Sequence, residues 1–200
     1  MALQFSVAGR NARANAIETT IGTSAIVRIR TGAPPATCAT ADSGTVLATM
    51  NLPVDYFAPA SAGSMARLGT WSDTAADAAG TAAHFRMYES GGTVCGMQGT
   101  CGQSVIIATS ALTAANGNVL TFAATTGVVV GMNVSGTGVL ADATVVAVTG
   151  TTATLSHTTT AGVASAASIT FAYDLPIDNA VIALNQVVTI NTFTINEANA

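Results

Sequence analysis

Two histidines, three cysteines and ten carboxylates are the residues of this 200-residue chain best suited to move protons or hold a metal. A hydrolase would need a nucleophile on a strained turn, a base and an orienting acid. No GxSxG motif is present. His84 sits within a strand-like run, alternating away from Phe85, and is expected to be a surface or hydrogen-bonded residue. His157 follows a hairpin in a threonine-rich run. Asp73 with Asp77, and Asp174 with Asp178, lie close in sequence, but a glycosidase needs two acids facing one sugar. Aspartates beside serine and threonine are expected to form turns. Asp42, Asp73 and Asp77 are the candidate cation ligands, without the spacing of a calcium loop. Cys38, Cys95 and Cys101 are odd in number, so no complete intrachain disulfide framework is possible. Cys95 and Cys101 have neither zinc-knuckle nor CxxC spacing, and all three read as small buried hydrophobes. Gly131–Gly138 fails as a phosphate loop, because Thr137 stands where a lysine is required. The sequence thus predicts no catalytic residue, no cofactor and no metal.

The arginines carry a different chemistry. There are six and no lysine. Arg28 and Arg30 share one face of a strand, because residues two apart do so, and Arg86 lies on another. A guanidinium on a sparsely charged surface suits a bidentate pair with a carboxylate across an interface. Arg28, Arg30 and Arg86 are therefore the candidate subunit-contact residues.

Charged residues make up 8% of the chain and the net charge is −4. That balance argues against gripping a nucleic-acid backbone, and the apolar content argues against disorder. No window of roughly 18 residues is continuously apolar, so no membrane span is expected. The N-terminus lacks the basic and apolar regions of a signal peptide, and synthesis in a host cytoplasm is expected. A monomer of this mass exposes roughly 8,600 Å², about 540 Å² for each charge. Such thin charge suggests a surface covered by other protein.

Residues 6–20 read as one helix, with Ser6 as N-cap and Phe5 placed for a hydrophobic staple. Strand and turn signals then dominate. Ala25–Arg30, Thr45–Leu52, Arg67–Asp73, Thr81–Tyr88 and Thr93–Gly99 read as strands, and Thr31–Thr40 as a loop. From Val105 to Phe171 only Asp142 is charged. That segment has its own strands, including a hairpin around Thr149–Thr151. Val187–Asn196 reads as one long strand with a bulge near Asn191. The expected architecture is all-β with one short N-terminal helix. It is an antiparallel β-sandwich or jelly-roll-like core (1–104 plus 172–200) carrying a small inserted β domain (105–171).

The opening MALQFSVAGRN and IETTIGTSAIVRIRTGAPP resemble a family of small tailed-bacteriophage virion structural proteins, as do DSGTVLATMNL (42–52), GTWSD (69–73) and GTAAHFRMY (80–88). The inserted segment separately resembles a β module of phage surface and tail proteins, through GMNVSGTG (131–138) and the Thr-rich hairpin after it. The resemblance implies a virion protein at the capsid surface, most simply a decoration (cement) protein. Its partners would be the major capsid protein and further copies of itself, a trimer fitting local three-fold positions. A tail or head–tail junction component is the alternative within that class. A carbohydrate-binding β module, using Trp71, Tyr56 or Tyr88 as platforms, is the alternative outside it.

Overall fold

A computed structural model describes residues 4–197. The chain is all-β apart from one helix, and it divides into two compact units. One is Gln103–Asp174; the other is the remainder of the described chain. These boundaries fall two or three residues outside those drawn from the charge distribution.

The larger unit begins with α1 (Val7–Ile21), capped by Ser6, whose hydroxyl accepts from Gly9 N at 3.1 Å. Its end is set by Gly22, with φ +90° and its N–H on the Glu18 carbonyl at 2.8 Å. The expected staple does not form. The residue four into the helix is Arg10, which offers Phe5 no apolar partner, and Phe5 instead lies under the Arg13 guanidinium at 4.9 Å. The helix buries only Ala14 and Ile21 fully, so packing alone does not hold it. A polar seam does. Asn11 Oδ1 accepts from Gly63 N at 2.7 Å, Asn15 Oδ1 from Ala60 N at 2.9 Å, and Glu18 Oε1 from Tyr56 N and Phe57 N at 2.9 and 3.2 Å. Positions 11, 15 and 18 lie on one helical face, and each supplies an acceptor to backbone that no sheet satisfies. Glu18→Ala strands two amides and is expected to cost about 1–3 kcal/mol, read as a lower urea midpoint of this unit.

Seven strands follow before the insertion, the first six being β1 (Ile26–Arg30), β2 (Val46–Asn51), β3 (Ser64–Ala66), β4 (Trp71–Asp73), β5 (Gly80–Thr81) and β6 (His84–Tyr88). Next comes β7 (Cys95–Gly102). Within Gln103–Asp174 lie β8 (Val105–Ala108), β9 (Val119–Thr121), β10 (Asn133–Ser135), β11 (Val145–Val148), β12 (Thr152–Leu155) and β13 (Ser168–Ala172). The chain ends with β14 (Leu175–Pro176), β15 (Val181–Ile182), β16 (Val188–Ile190) and β17 (Thr194–Asn196).

The main sheet of the larger unit has the order β14-β7-β6-β1-β2, antiparallel except for β14 beside β7. That parallel pair matches Leu175 with Cys101 and Pro176 with Gly102. The core chain is therefore interrupted between two adjacent positions, where an insertion disturbs least. The returning segment pairs β15 with β5, β16 with β4 and β17 with β3. The long strand expected at Val187–Asn196 is thus two strands. Its change of apolar phase marks a break at Asn191–Phe193, where the chain passes from β4 to β3 and turns Phe193 inward. Phe193 lies 5.9, 5.7 and 5.7 Å from the rings of Phe57, Trp71 and Phe85. Tyr56 adds a contact at 6.3 Å to Trp71. These aromatics form the centre of the core.

The smaller unit has two three-stranded sheets, β10-β13-β8 and β11-β12-β9. Its own core holds Leu120, Phe122, Val134, Leu155, Ile169 and Phe171. Its many threonines do more than wet a surface. Thr109, Thr113, Thr125 and Thr159 are buried, and each hydroxyl donates to a backbone carbonyl: Ala164, Val119, Thr149 and Ala114. They peg irregular loops that a small sheet cannot satisfy.

Candidate functional site

Register places a polar group on one face of the main sheet. Arg28 stands opposite Arg86, Arg30 opposite His84, and Arg86 opposite Gln98. By alternation, Tyr88 shares that face with His84 and Arg86. Such a face is normally wet, yet every residue of β6 is buried. The cover is the Thr31–Thr45 loop. Its neck closes through Thr31 N to the Thr45 carbonyl at 3.0 Å and Thr45 N to Thr31 Oγ1 at 2.9 Å. Gly44 makes the neck possible: it takes φ +69°, and a side chain there would run into the Thr31 carbonyl.

Asp42 is the centre of the latch. It accepts from Arg30 Nη2 at 2.5 Å, Arg86 Nη1 at 2.6 Å and the Tyr88 hydroxyl at 2.8 Å. Other guanidinium nitrogens donate to loop carbonyls. Arg86 reaches Cys38 at 2.6 Å and Thr40 at 3.0 Å, while Arg30 reaches Ser43 at 3.2 Å and Gly44 at 3.3 Å. Gln98 Nε2 adds the Pro35 carbonyl at 2.6 Å. A planar fork of fixed donors suits this task, and a lysine ammonium would not span it.

Two of the three arginines expected at subunit contacts are buried within the chain. Arg86 is 1% exposed and Arg30 6%. Both are consumed inside the chain, because the loop carbonyls and Asp42 meet their donors first. Arg28 is half-buried, donates to the Gly92 carbonyl at 3.1 Å and stacks 4.8 Å from the Tyr88 ring. The premise of a surface guanidinium therefore fails for Arg30 and Arg86.

Electrostatics follow from this crowding. Burial pushes the Asp42 carboxyl upward, but the Tyr88 hydroxyl and the Arg30 and Arg86 charges outweigh it and hold it below its ordinary value. Burial also depresses His84. The Gly32 carbonyl, 2.8 Å from Nδ1, pulls it back up, and Arg30 and Arg86 push it down again. His84 Nε2 is buried without a hydrogen-bond partner, so a second ring proton would have no acceptor. Because the folded value is depressed, the unfolded chain takes up the proton first, and stability falls with pH below about 6.5. Asp42 acts with the same sign at lower pH. The urea midpoint is expected to drop between pH 7.5 and 5, with a flatter slope in His84→Gln.

The other candidate chemistry resolves into structure. Asp73 Oδ2 accepts from Thr49 N at 2.8 Å and its Oδ1 from Ala75 N at 2.9 Å, the expected turn role. Asp77 Oδ2 accepts from the Thr49 hydroxyl at 2.7 Å. Among the described residues no group of three histidines, cysteines or carboxylates could hold a metal. His157 is exposed beside Ser156 Oγ at 2.9 Å. Two shallow depressions, one beside α1 and Gly96 and one around Arg67 and Asn191, contain no histidine, cysteine or carboxylate. Cys101 is the buried hydrophobe expected, its thiol pushed up to about 12 by burial. Cys38 and Cys95 are only half-buried, against expectation, because both lie at the rim of the loop latch. Glu89, half-buried, is held down to about 2 by the amides of Thr93, Gly91 and Val94, and so ties the β6–β7 turn.

The fold and this cluster describe an all-β chain with a polar assembly that fastens its own loop. No family model, curated protein or solved structure matches the chain.

Proposed function

We propose that the chain is a structural subunit, a capsid decoration (cement) protein of a tailed-bacteriophage virion. The supporting observation is the character of its surface. The accessible area is 9586 Å², about a tenth above the value expected from mass. Over that area the sixteen charges are thinned further by the burial of Arg30 and Arg86. Large apolar side chains stand in the gaps: Ile106 is 69% exposed and Val54 68%, with Leu112, Val94, Val130 and Val187 similarly bare. Scattered apolar residues are ordinary, but many on a nearly uncharged surface fit burial against other protein. Many weak contacts repeated over a lattice would bind through avidity.

The carbohydrate-binding alternative loses its platforms: Trp71, Tyr56 and Tyr88 are all at most 1% exposed. The resemblance of the N-terminal segments carries the choice of a virion over other assemblies. The test is to mix the purified chain with heads that lack it and pellet the particles. Saturable co-sedimentation is the expected result. Recovery of all the protein in the supernatant, at concentrations well above micromolar, would remove the reading.

A further inference from the structure

His84 is fully buried and sits against the neck of the Thr31–Thr45 loop. Its Nδ1 lies 2.8 Å from the Gly32 carbonyl, which can only accept, so Nδ1 carries the proton of the neutral ring. A second proton must therefore go to Nε2, which is buried without a hydrogen-bond partner. The surrounding charges add to that cost. β1 places Arg30 directly opposite His84, with Arg28 on the same face, and β6 itself adds Arg86 and the neutral Tyr88. β7 sets Thr100 opposite and carries no acidic or basic residue. The loop contributes one carboxylate, Asp42, whose oxygens are already bound to Arg30, Arg86 and Tyr88. Three guanidinium groups against one carboxylate leave this face positive before His84 takes up a proton. An imidazolium here meets like charge and lacks an acceptor, whereas in an opened loop water supplies one.

We propose that the Thr31–Thr45 loop is an acid-released strap, with His84 as its trigger. Protonation at Nε2 favours the state in which the neck is open, Gly32 has left the ring and the covered face of β6 meets water. The sheet beneath keeps its place, because Phe85 and Met87 hold the other side of β6 in the core and the ladder to β1 does not involve the loop. The first loss in acid is thus local, at the neck, and precedes unfolding of the unit. Asp42 does not trigger it in mild acid, because the Tyr88 hydroxyl and the Arg30 and Arg86 charges keep its carboxyl ionised there. The inference rests on the geometry of the latch and is independent of the assembly reading above.

The test is hydrogen exchange on the full chain between pH 7.5 and 5, corrected for the intrinsic pH dependence of exchange. Protection of the Thr31 and Thr45 amides should fall by up to about tenfold for each pH unit below about 6.5, the mark of one proton taken up on opening. Protection in β1 and β6, and the fluorescence of Trp71, should hold over the same range. The ring signals of His84 in the NMR spectrum should change together with the neck. His84→Gln keeps a donor for the Gly32 carbonyl but gains no charge, so its neck should lose the pH response. His157→Gln, at an exposed position, should keep it. Neck protection that is unchanged at pH 5, that falls together with β1 and β6, or that falls equally in His84→Gln would each overturn the proposal. The parent chain decides the matter even if His84→Gln fails to fold, because a neck that opens without His84 titrating excludes the ring as trigger.

Discussion

Arg86→Met is expected to lower the stability of the larger unit by about 2–4 kcal/mol, because several charge-assisted hydrogen bonds are lost at once. Methionine can occupy the volume of the arginine stem, so the loss is not chiefly a cavity. It leaves Asp42 with one guanidinium instead of two, and it leaves the Cys38 and Thr40 carbonyls without their donor. The reciprocal change, Asp42→Asn, leaves Arg30 and Arg86 facing a neutral group. If the network acts as one assembly, the double variant loses clearly less than the sum of the two singles. Trp71 is the only tryptophan and is buried in this unit's core, so its fluorescence during urea unfolding reports this unit. Hydrogen exchange adds a local readout. The amides of Thr31 and Thr45 should lose protection in Arg86→Met before those of β1 and β6 do. Strict additivity, or a loss below about 1 kcal/mol, would show that the loop is held by its neck alone.

Phe193→Ala is expected to cost a similar amount, about 3–5 kcal/mol, by the different route of an unfilled core cavity. Its ring touches three others, Phe57, Trp71 of β4 and Phe85 of β6, all from the N-terminal half. The residue sits between β16 and β17, so its loss should also loosen the pairings of those strands with β4 and β3. Urea unfolding measures the first effect, and hydrogen exchange at Ile190 and Ile195 the second. A variant that loses stability while both strands keep full protection would show that backbone pairing, not the ring, anchors the returning segment.

Much of this fold was legible in the sequence. Alternation located β1, β2, β6 and β7 to within a few residues, because each has one face against a core. Ser6 and Gly22 bounded α1 through local capping chemistry. The single charge between Val105 and Phe171 marked the smaller unit, because a segment with its own core announces itself by composition. Short strands such as β3, β5 and β15 were not legible: two or three residues carry no periodicity, and only tertiary pairing defines them. The break at Asn191–Phe193 looked like a bulge because a phase shift reads the same in either case. The latch was half legible. Alternation put His84, Arg86 and Tyr88 on one face, but that pattern ordinarily means solvent. Only the covering loop turns it inward, and loop placement depends on long-range contacts such as Arg86 with Asp42. Two arginines on one face of β1 and a third on β6, in a chain so poor in charge, were the signal that a carboxylate had to be near.

Copy number separates a shell subunit from a component of the tail or neck. Quantitative mass spectrometry of purified particles, normalised to the major capsid protein, would count this chain. A decoration protein is expected at a fixed ratio corresponding to hundreds of copies, as a shell-covering subunit requires. Six, twelve or a few dozen copies would contradict decoration and move the chain to the tail or neck, and absence from the particle would contradict a virion role altogether.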